Sequence, residues 1–400
     1  MERACGAAAG EADIGCATRA GGVNRPIYLD YAATTPTDPA VVDAMQPWLG
    51  ERFGNPHSPH RWGYEAAAAV AVARQQVAAL LDCPPEAVSF TGGATESVNW
   101  ALKGALTAAD RKRRRLVTVA TEHSCVLETA RYLATQGYAL TVLGVGPDGL
   151  IDIAELDAVL GDDVALVSAM LVNNETGVIQ PIAEIAARAR AHGALMHCDA
   201  AQGFGKLPTQ ADALGVDLLS LTAHKLYGPK GVGALYIRPG LALTPLLHGG
   251  GQEDGGRSGT LAPALCVGLG TAAMIAAERM AADTAHVRTL WDQLLAQLTM
   301  PYEINGSVEA RWFGTLNLRM ESIDGARLLA TTRGLAMSAG SACASGSGRL
   351  SHVLAALGLS TAAAKSSLRL GWGRFTTIEE IDIAATLLNA GAAKLRALAA

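Results

Sequence analysis

Four hundred residues exceed what one ordinary hydrophobic core takes in, so a larger and a smaller domain are expected. Half the residues are hydrophobic and 17% are charged, against about 25% in ordinary soluble chains, so much surface must be buried in a core or a dimer. The net charge of −5 excludes any general attraction to nucleic acid or to an anionic membrane.

Residues 1–24 read as a flexible, Ala/Gly-rich leader. Without a continuous apolar stretch, and with Glu2, Glu11 and Asp13, they do not resemble a secretory or transit signal. From Pro26 onward strand and helix patterns alternate. A helix is expected over Tyr64–Leu81, a strand at Ala87–Phe90, and a helix carrying Val98, Leu102 and Leu106. Then follow a strand at Leu116–Ala120, a helix at His123–Gln136, and strands at Leu140–Leu143 and Val164–Met170. This alternation predicts an α/β fold with a mainly parallel sheet covered by helices. Beyond about Gly270 a helix leads to a strand near Thr315–Met320, a small-residue loop around Cys343 and a helix from Leu350. A strand at Leu368–Leu370 and a final helix from Ile378 complete the pattern. The expected division is a large domain over 25–270 and a smaller α+β domain over 271–400, to which the N-terminal segment also contributes. The uncharged stretch Ser258–Ala277 is long enough to span a bilayer by count. Its Ser, Thr, Pro and glycines favour a buried connection and core helix instead.

Lys225 is one of only seven lysines and follows the apolar run Val216–Leu221. A lysine at the end of a buried strand is costly unless it is deprotonated, paired or covalently modified, and a Schiff base with a carbonyl cofactor provides all three. Asp199 closes another apolar strand upstream. Pyridoxal phosphate needs a carboxylate at its ring nitrogen, and parallel sheets bind ligands at the carboxyl ends of their strands. A helix N-cap explains Asp199 equally well. Thr91-Gly92-Gly93-Ala94-Thr95-Glu96-Ser97 joins a strand to a helix start, where free backbone N–H groups and hydroxyls suit a single phosphate. Gly93-to-Glu96 spacing would also pass as a capping box. Gly144-Val145-Gly146-Pro147-Asp148-Gly149 has dinucleotide-motif spacing, but its Pro-Asp-Gly core reads as a turn, with Asp152 capping the next helix. The basic run Arg111–Arg115 reads as a solvated connection.

Seven scattered cysteines without a C-x-x-C pair argue against a disulfide framework and a zinc site, and for a reducing compartment. His57, His60, His192 and His197 lack the i, i+4 spacing of helical metal ligands. Cys343 differs from the other thiols: Ser338-Ala339-Gly340-Ser341-Ala342-Cys343-Ala344-Ser345-Gly346-Ser347-Gly348 holds nothing bulky to bury it. That setting suits an accessible thiol on a flexible tether.

Together with Tyr28-Leu29-Asp30-Tyr31-Ala32-Ala33-Thr34-Thr35-Pro36, Phe53-Gly54-Asn55-Pro56-His57-Ser58, Thr121-Glu122-His123-Ser124, Val172-Asn173-Asn174-Glu175-Thr176-Gly177, His248-Gly249-Gly250-Gly251-Gln252-Glu253, Arg257-Ser258-Gly259-Thr260, Ser366-Ser367-Leu368-Arg369-Leu370 and Gly373-Arg374-Phe375-Thr376-Thr377, these segments resemble the cysteine desulfurases. Those are pyridoxal-phosphate enzymes of the class V aminotransferase group. The resemblance runs from about Pro26 to Arg396, and the Cys343 loop is similar to that of the branch serving nitrogen fixation and iron–sulfur assembly.

The resemblance implies an aspartate-aminotransferase-like fold, with a sheet of the seven-stranded type in its large domain. It implies conversion of L-cysteine to L-alanine, with sulfur passed to Cys343 as a persulfide. Lys225 would carry the cofactor and move the substrate Cα proton. His123 would stack on the ring as a second acid/base, Asp199 would pair with the ring nitrogen, and Asn174 and Gln202 would bond near the phenolic oxygen. Ala94, Thr95, Thr222 and His224 would hold the phosphate, joined by Thr260 from the second subunit of a homodimer. Arg369, with Asn174, would bind the substrate carboxylate. Taken alone, His123 reads as a capping or buried histidine and Arg369 as a salt-bridged surface arginine. An iron–sulfur scaffold or another acceptor would take the sulfur, with Cys343 a transient iron–sulfur ligand shared with the scaffold, in a cytoplasmic setting.

Two departures bear on the acceptor. Pro239–Leu243 stands where bacterial housekeeping members carry a basic stretch, and the sequence stops at Ala400 without their C-terminal tail. A selenocysteine lyase or another class V aminotransferase remains an alternative reading, as does a non-catalytic sulfur carrier that kept only the fold.

Overall fold

The computed structural model describes residues 25–338 and 350–398. Its strands are β1 (Ile27–Tyr28), β2 (Val88–Thr91), β3 (Arg115–Val119), β4 (Ala139–Leu143), β5 (Val164–Met170), β6 (Leu195–Asp199), β7 (Leu218–Thr222), β8 (Gly233–Ile237), β9 (Glu303–Ile304), β10 (Thr315–Arg319), β11 (Leu335–Ala336) and β12 (Ser367–Gly371). Seven of these form one sheet in the order β2-β8-β7-β6-β5-β3-β4. Every neighbouring pair from β7 to β4 is parallel, and β8 lies antiparallel to both β7 and β2, so β8 alone runs backwards. The central strands are buried along nearly their whole length because helices cover both faces.

Helices α1 (Pro39–Met45), α2 (Arg61–Leu81), α3 (Ala94–Ala108), α4 (Ser124–Thr135), α5 (Ile153–Val159), α6 (Ile182–Ala191) and α7 (Ala211–Leu214) occur in and before this sheet region. Several start at a capping side chain. Asp38 caps α1, whose first residue is Pro39, His60 caps α2, and Asp152 caps α5 by accepting from Ala154 N–H. The Gly144–Gly149 segment is a turn: Gly149 N–H donates to Gly146 O and Gly149 has φ +79°. Val98, Leu102 and Leu106 are all buried on the inner side of α3.

Helix α8 (Pro263–Gln297) is 35 residues long, or about 50 Å. It packs on α1 and α2, and also on α12 (Ile378–Ala397). By length and composition it could cross a membrane. Its buried face, from Ala264 through Leu269 and Ala276 to Leu290 and Leu294, belongs to the core. Beyond it, β9, β10 and β12 form a three-stranded antiparallel sheet, accompanied by α9 (Gly325–Thr331), α10 (His352–Ala356) and α11 (Thr361–Lys365). The N-terminal segment joins this part of the chain. Ile27 and Tyr28 pair with Leu335 and Ala336, and Asp30 bridges to Gly371.

The basic run is less free than its composition suggests. Arg113 donates to the carbonyls of Val164 and His192, Arg115 pairs with Asp163 at 2.7 Å, and Arg114 lies over the Tyr138 ring. Among the described residues, no group of three His, Cys, Asp or Glu side chains could hold a metal. Cys343 lies outside the described residues.

Candidate active site

A cavity of about 970 Å³ opens at the carboxyl ends of the parallel strands. Each wall is the continuation of one strand. β2 leads into Gly92–Glu96, β3 into His123, β5 into Val172 and Asn174, β6 into Asp199, Ala201 and Gln202, and β7 into His224 and Lys225. The N-terminal Ala32–Thr34 and the β12 residue Arg369 close the rim.

The Lys225 ammonium donates to the carbonyls of Ala32 and Ala33, the latter at 2.7 Å. Asp199 is 4% exposed, and its Oδ1 accepts from Ala201 N–H at 2.9 Å. Burial pushes its carboxyl pKa up, while the Ala201 N–H, His123 and Lys225 hold it back. A buried carboxylate in that position fits a cationic ring nitrogen. Asp199 is therefore both a local turn former and a charge facing the cavity.

Glu122, immediately before His123, is fully buried, with Oε1 on Met170 N–H and Oε2 without a partner. Desolvation and the nearby Asp199 push its pKa well up, against the Met170 N–H. His123 caps α4, its Nδ1 accepting from Cys125 N–H at 3.2 Å. That bond leaves Nε2 to carry the proton of the neutral ring. Burial lowers the His123 pKa, Asp199 opposes this, and Lys225 and His352 add to the lowering.

The start of α3 has the form expected of an anion cup. Gly93 is its N-cap at φ 147°, and no side chain caps the helix amides. Glu96 supplies no capping box with Gly93, which has no side chain. It reaches back to Gly92 N–H at 2.9 Å and pairs with Arg257 at 2.7 Å. Gly233 on β8 lets the cup approach closely: a Cβ there would lie 2.8 Å from Gly93 Cα and 2.4 Å from Leu221 O. Thr95 and Thr222 border the same space. The His224 ring bonds Thr34 Oγ1 at 3.1 Å, and burial with Lys225, Lys230 and Lys206 lowers its pKa to about 4, so it is neutral.

Arg369 is 1% exposed. Its Nη2 pairs with Asp30 at 2.7 Å, and its Nη1 donates to Asn174 O at 3.0 Å. Its Nε has no partner, nor has the buried Asn174 Oδ1. Gln202 is 6% exposed and donates through Nε2 to Ala32 O at 2.7 Å. Thr260 is exposed and lies outside the lining of this cavity.

Phosphate cup, buried carboxylate, strand-end lysine and orphaned Asn174 oxygen together fit pyridoxal phosphate. Sequence reasoning brought most of these residues together but missed Lys103, Cys125 and Lys230, which also line the cavity. Lys230 was legible in the run that holds Lys225, where its place after Gly228-Pro229 made it look like a turn residue.

The class-V aminotransferase family matches residues 27–383. The mitochondrial cysteine desulfurase of Eremothecium gossypii is 48% identical over 363 residues, covering 90% of this chain and 74% of that one. Among solved structures, a NifS-like protein superposes with a TM-score of 0.86 at 34% identity, covering 91% of this chain and 98% of its own. A structure of SspA in complex with cysteine gives 0.80 at 36%, covering 88% and 99%. With this cavity at the strand ends and these relatives along nearly its whole length, the chain belongs to the class-V aminotransferase family, among its cysteine desulfurases.

Proposed function

We propose that this protein is a pyridoxal-phosphate-dependent cysteine desulfurase that converts L-cysteine to L-alanine and passes the sulfur to Cys343 as a persulfide. The observation that carries this reading is the convergence of Lys225, Asp199, the α3 cup and Arg369 on one cavity. The neighbour solved with cysteine supports the substrate.

When bound, pyridoxal phosphate supplies a carbonyl that condenses with amines and a ring that withdraws electrons from the carbon beside the nitrogen. The chain's residues do the rest. The amides of Ala94 and Thr95, with Thr95, Thr222 and His224, bind the phosphate at the positive end of α3. Asp199 would keep a proton on the ring nitrogen, His123 would cover the ring, and Asn174 and Gln202 would bond near its oxygen. Lys225 Nζ takes and returns the proton on the substrate Cα. Arg369 orients the substrate carboxylate through the donors that Asp30 and Asn174 O leave over.

Sulfur transfer needs a thiolate. Among the described residues Cys83, Cys125, Cys198 and Cys266 are free, and burial pushes every one of these thiols up. Cys125 lines the cavity itself, yet as a protonated thiol it is unsuited to attack. Cys343 takes this role. Its sulfur bonds to the substrate sulfur as the substrate C–S bond breaks. The electron pair stays on Cβ, which gains a proton and becomes the alanine methyl, so no outside oxidant enters.

The protein acts as a homodimer in the cytoplasm and hands sulfur to an iron–sulfur scaffold or another acceptor, with Cys343 as a transient cluster ligand. An exposed apolar face supports the dimer: Phe53 and Trp62 stack at 5.2 Å, with Leu49, Tyr64 and Val72 also exposed. Thr260 reaches the neighbour's phosphate across that interface. The test is incubation with cysteine and a reductant, measuring alanine and sulfide. Wild type should form both and Cys343→Ala neither; equal alanine from the two would overturn the reading.

A further inference from the structure

Lys206 has no part in the chemistry described so far. It lies in a chain of tight turns after β6, where Gly203 N–H and Phe204 N–H return to Ala200 O and Lys206 N–H returns to Gly203 O. These turns place Lys206 beside Gln202, four residues earlier. The segment is fixed from behind. A Cβ on Gly205 (φ +71°) would stand 2.1 Å from a Leu226 methyl, and one on Gly203 2.5 Å from a Leu171 methyl. From this platform Lys206 Nζ donates to Gln202 Oε1 at 3.2 Å, while Gln202 Nε2 donates to Ala32 O, the carbonyl that Lys225 also uses.

An ammonium has three donors and no acceptor. A side-chain amide beside it must therefore turn its oxygen toward the cation, because the flipped amide would set NH₂ against NH₃⁺. Gln202 is left with one orientation, its NH₂ end directed away from Lys206. One Nε2 hydrogen is spent on Ala32 O, and the other is left for the cavity that Gln202 lines. We propose that Lys206, in its charged form, is a positioning residue that locks the Gln202 amide so that it presents a donor to the cofactor's phenolic oxygen. The inference rests on the functional reading above and adds a residue that tunes the same site.

Desolvation and the neighbouring Lys225 bring the Lys206 pKa down to about 7, so the lock acts while the amine is charged and loosens as pH rises through that range. The titratable groups that interact with Lys206 are Lys225 and His224. A locked donor favours the ionised oxygen, and a nearby cation disfavours a protonated nitrogen on Lys225. Losing Lys206 therefore moves the lysine-linked cofactor one way by either route, toward retaining its proton at higher pH. A double-mutant cycle separates the two routes.

The experiment titrates the visible absorbance of the holoenzyme against pH for wild type, Lys206→Met, Lys206→Arg, Gln202→Leu and the Gln202→Leu/Lys206→Met pair. Thermal melting checks that each variant is folded. Lys206→Met should raise the midpoint by about one pH unit. Lys206→Arg, also donor-only, should restore it, and Lys206→Met should add clearly less in the Gln202→Leu background, where only the direct effect of the charge remains. Lys206→Gln, whose amide can accept as well as donate, serves as a second substitution and should also raise the midpoint. An unchanged midpoint in both uncharged variants, or a full shift persisting without Gln202, overturns the lock. A wild-type protein that never acquires the band overturns the functional reading and this inference together.

Discussion

Arg369 and Asp30 meet at 2.7 Å in the wall of the cavity, although 339 positions separate them. The guanidinium is almost fully buried and Asp30 is its carboxylate partner, while Nε keeps an unspent donor. A buried cation of this kind needs a permanent counter-ion. Asp30 provides it while leaving donors for a second carboxylate.

Replacing Arg369 by Lys keeps the charge and removes the planar fork. Losing one charged hydrogen bond to the substrate should lower kcat/KM for cysteine roughly 10- to 100-fold, chiefly through KM. Steady-state kinetics across cysteine concentrations checks this, and an unchanged KM contradicts the assignment.

Lys225→Ala should retain cofactor through the α3 cup but lose the covalent link. Borohydride treatment followed by peptide mass analysis should find the reduced adduct at Lys225 in wild type and nowhere in the variant. Turnover should vanish with it.

Gly233→Ala should loosen the cup without touching any group that contacts the cofactor. The new methyl meets Leu221 O at 2.4 Å and Gly93 Cα at 2.8 Å, so backbone must shift. Overpacking of this kind costs about 1–3 kcal/mol. Cofactor dissociation, followed by dialysis and absorbance, should be at least about tenfold easier. Retention equal to wild type would show that the cup tolerates the displacement.

His197 is buried between Ser168 Oγ at 2.8 Å and Ser220 Oγ at 2.9 Å, and burial lowers its pKa to about 3. A histidine whose folded pKa is depressed contributes stability fully above its unfolded value, about 6.5. That contribution falls as pH drops from there toward 3. Denaturant melts of His197→Asn and wild type should therefore converge as pH falls through this window, because only wild type loses the histidine term. A constant gap between them would mean that His197 does not titrate as placed. The raised pKa of Glu122 acts in the opposite sense and cancels in the comparison.

The site was legible wherever chemistry sat at the end of an apolar strand. Lys225, Asp199 and the Gly92-Gly93 cup each follow a run of buried residues, and periodicity finds such runs. What stayed hidden depends on contacts between distant segments. The Asp30–Arg369 pair is one case. Another is the reversed β8 between β2 and β7, a pairing set by register rather than composition. The Lys206–Gln202 contact is only four residues apart, yet it depends on tight turns that glycines permit and that no periodic signal marks. The raised pKa of Glu122 follows from desolvation, which a sequence does not display.

Helix α8 spans the molecule, one end against α1 and α2 beside the large sheet and the other against α12 beside the small one. A continuous helix offers a protease no exposed joint between the two sheets. The consequence is that the two sheets hold their spacing across the cavity for as long as that single strut survives.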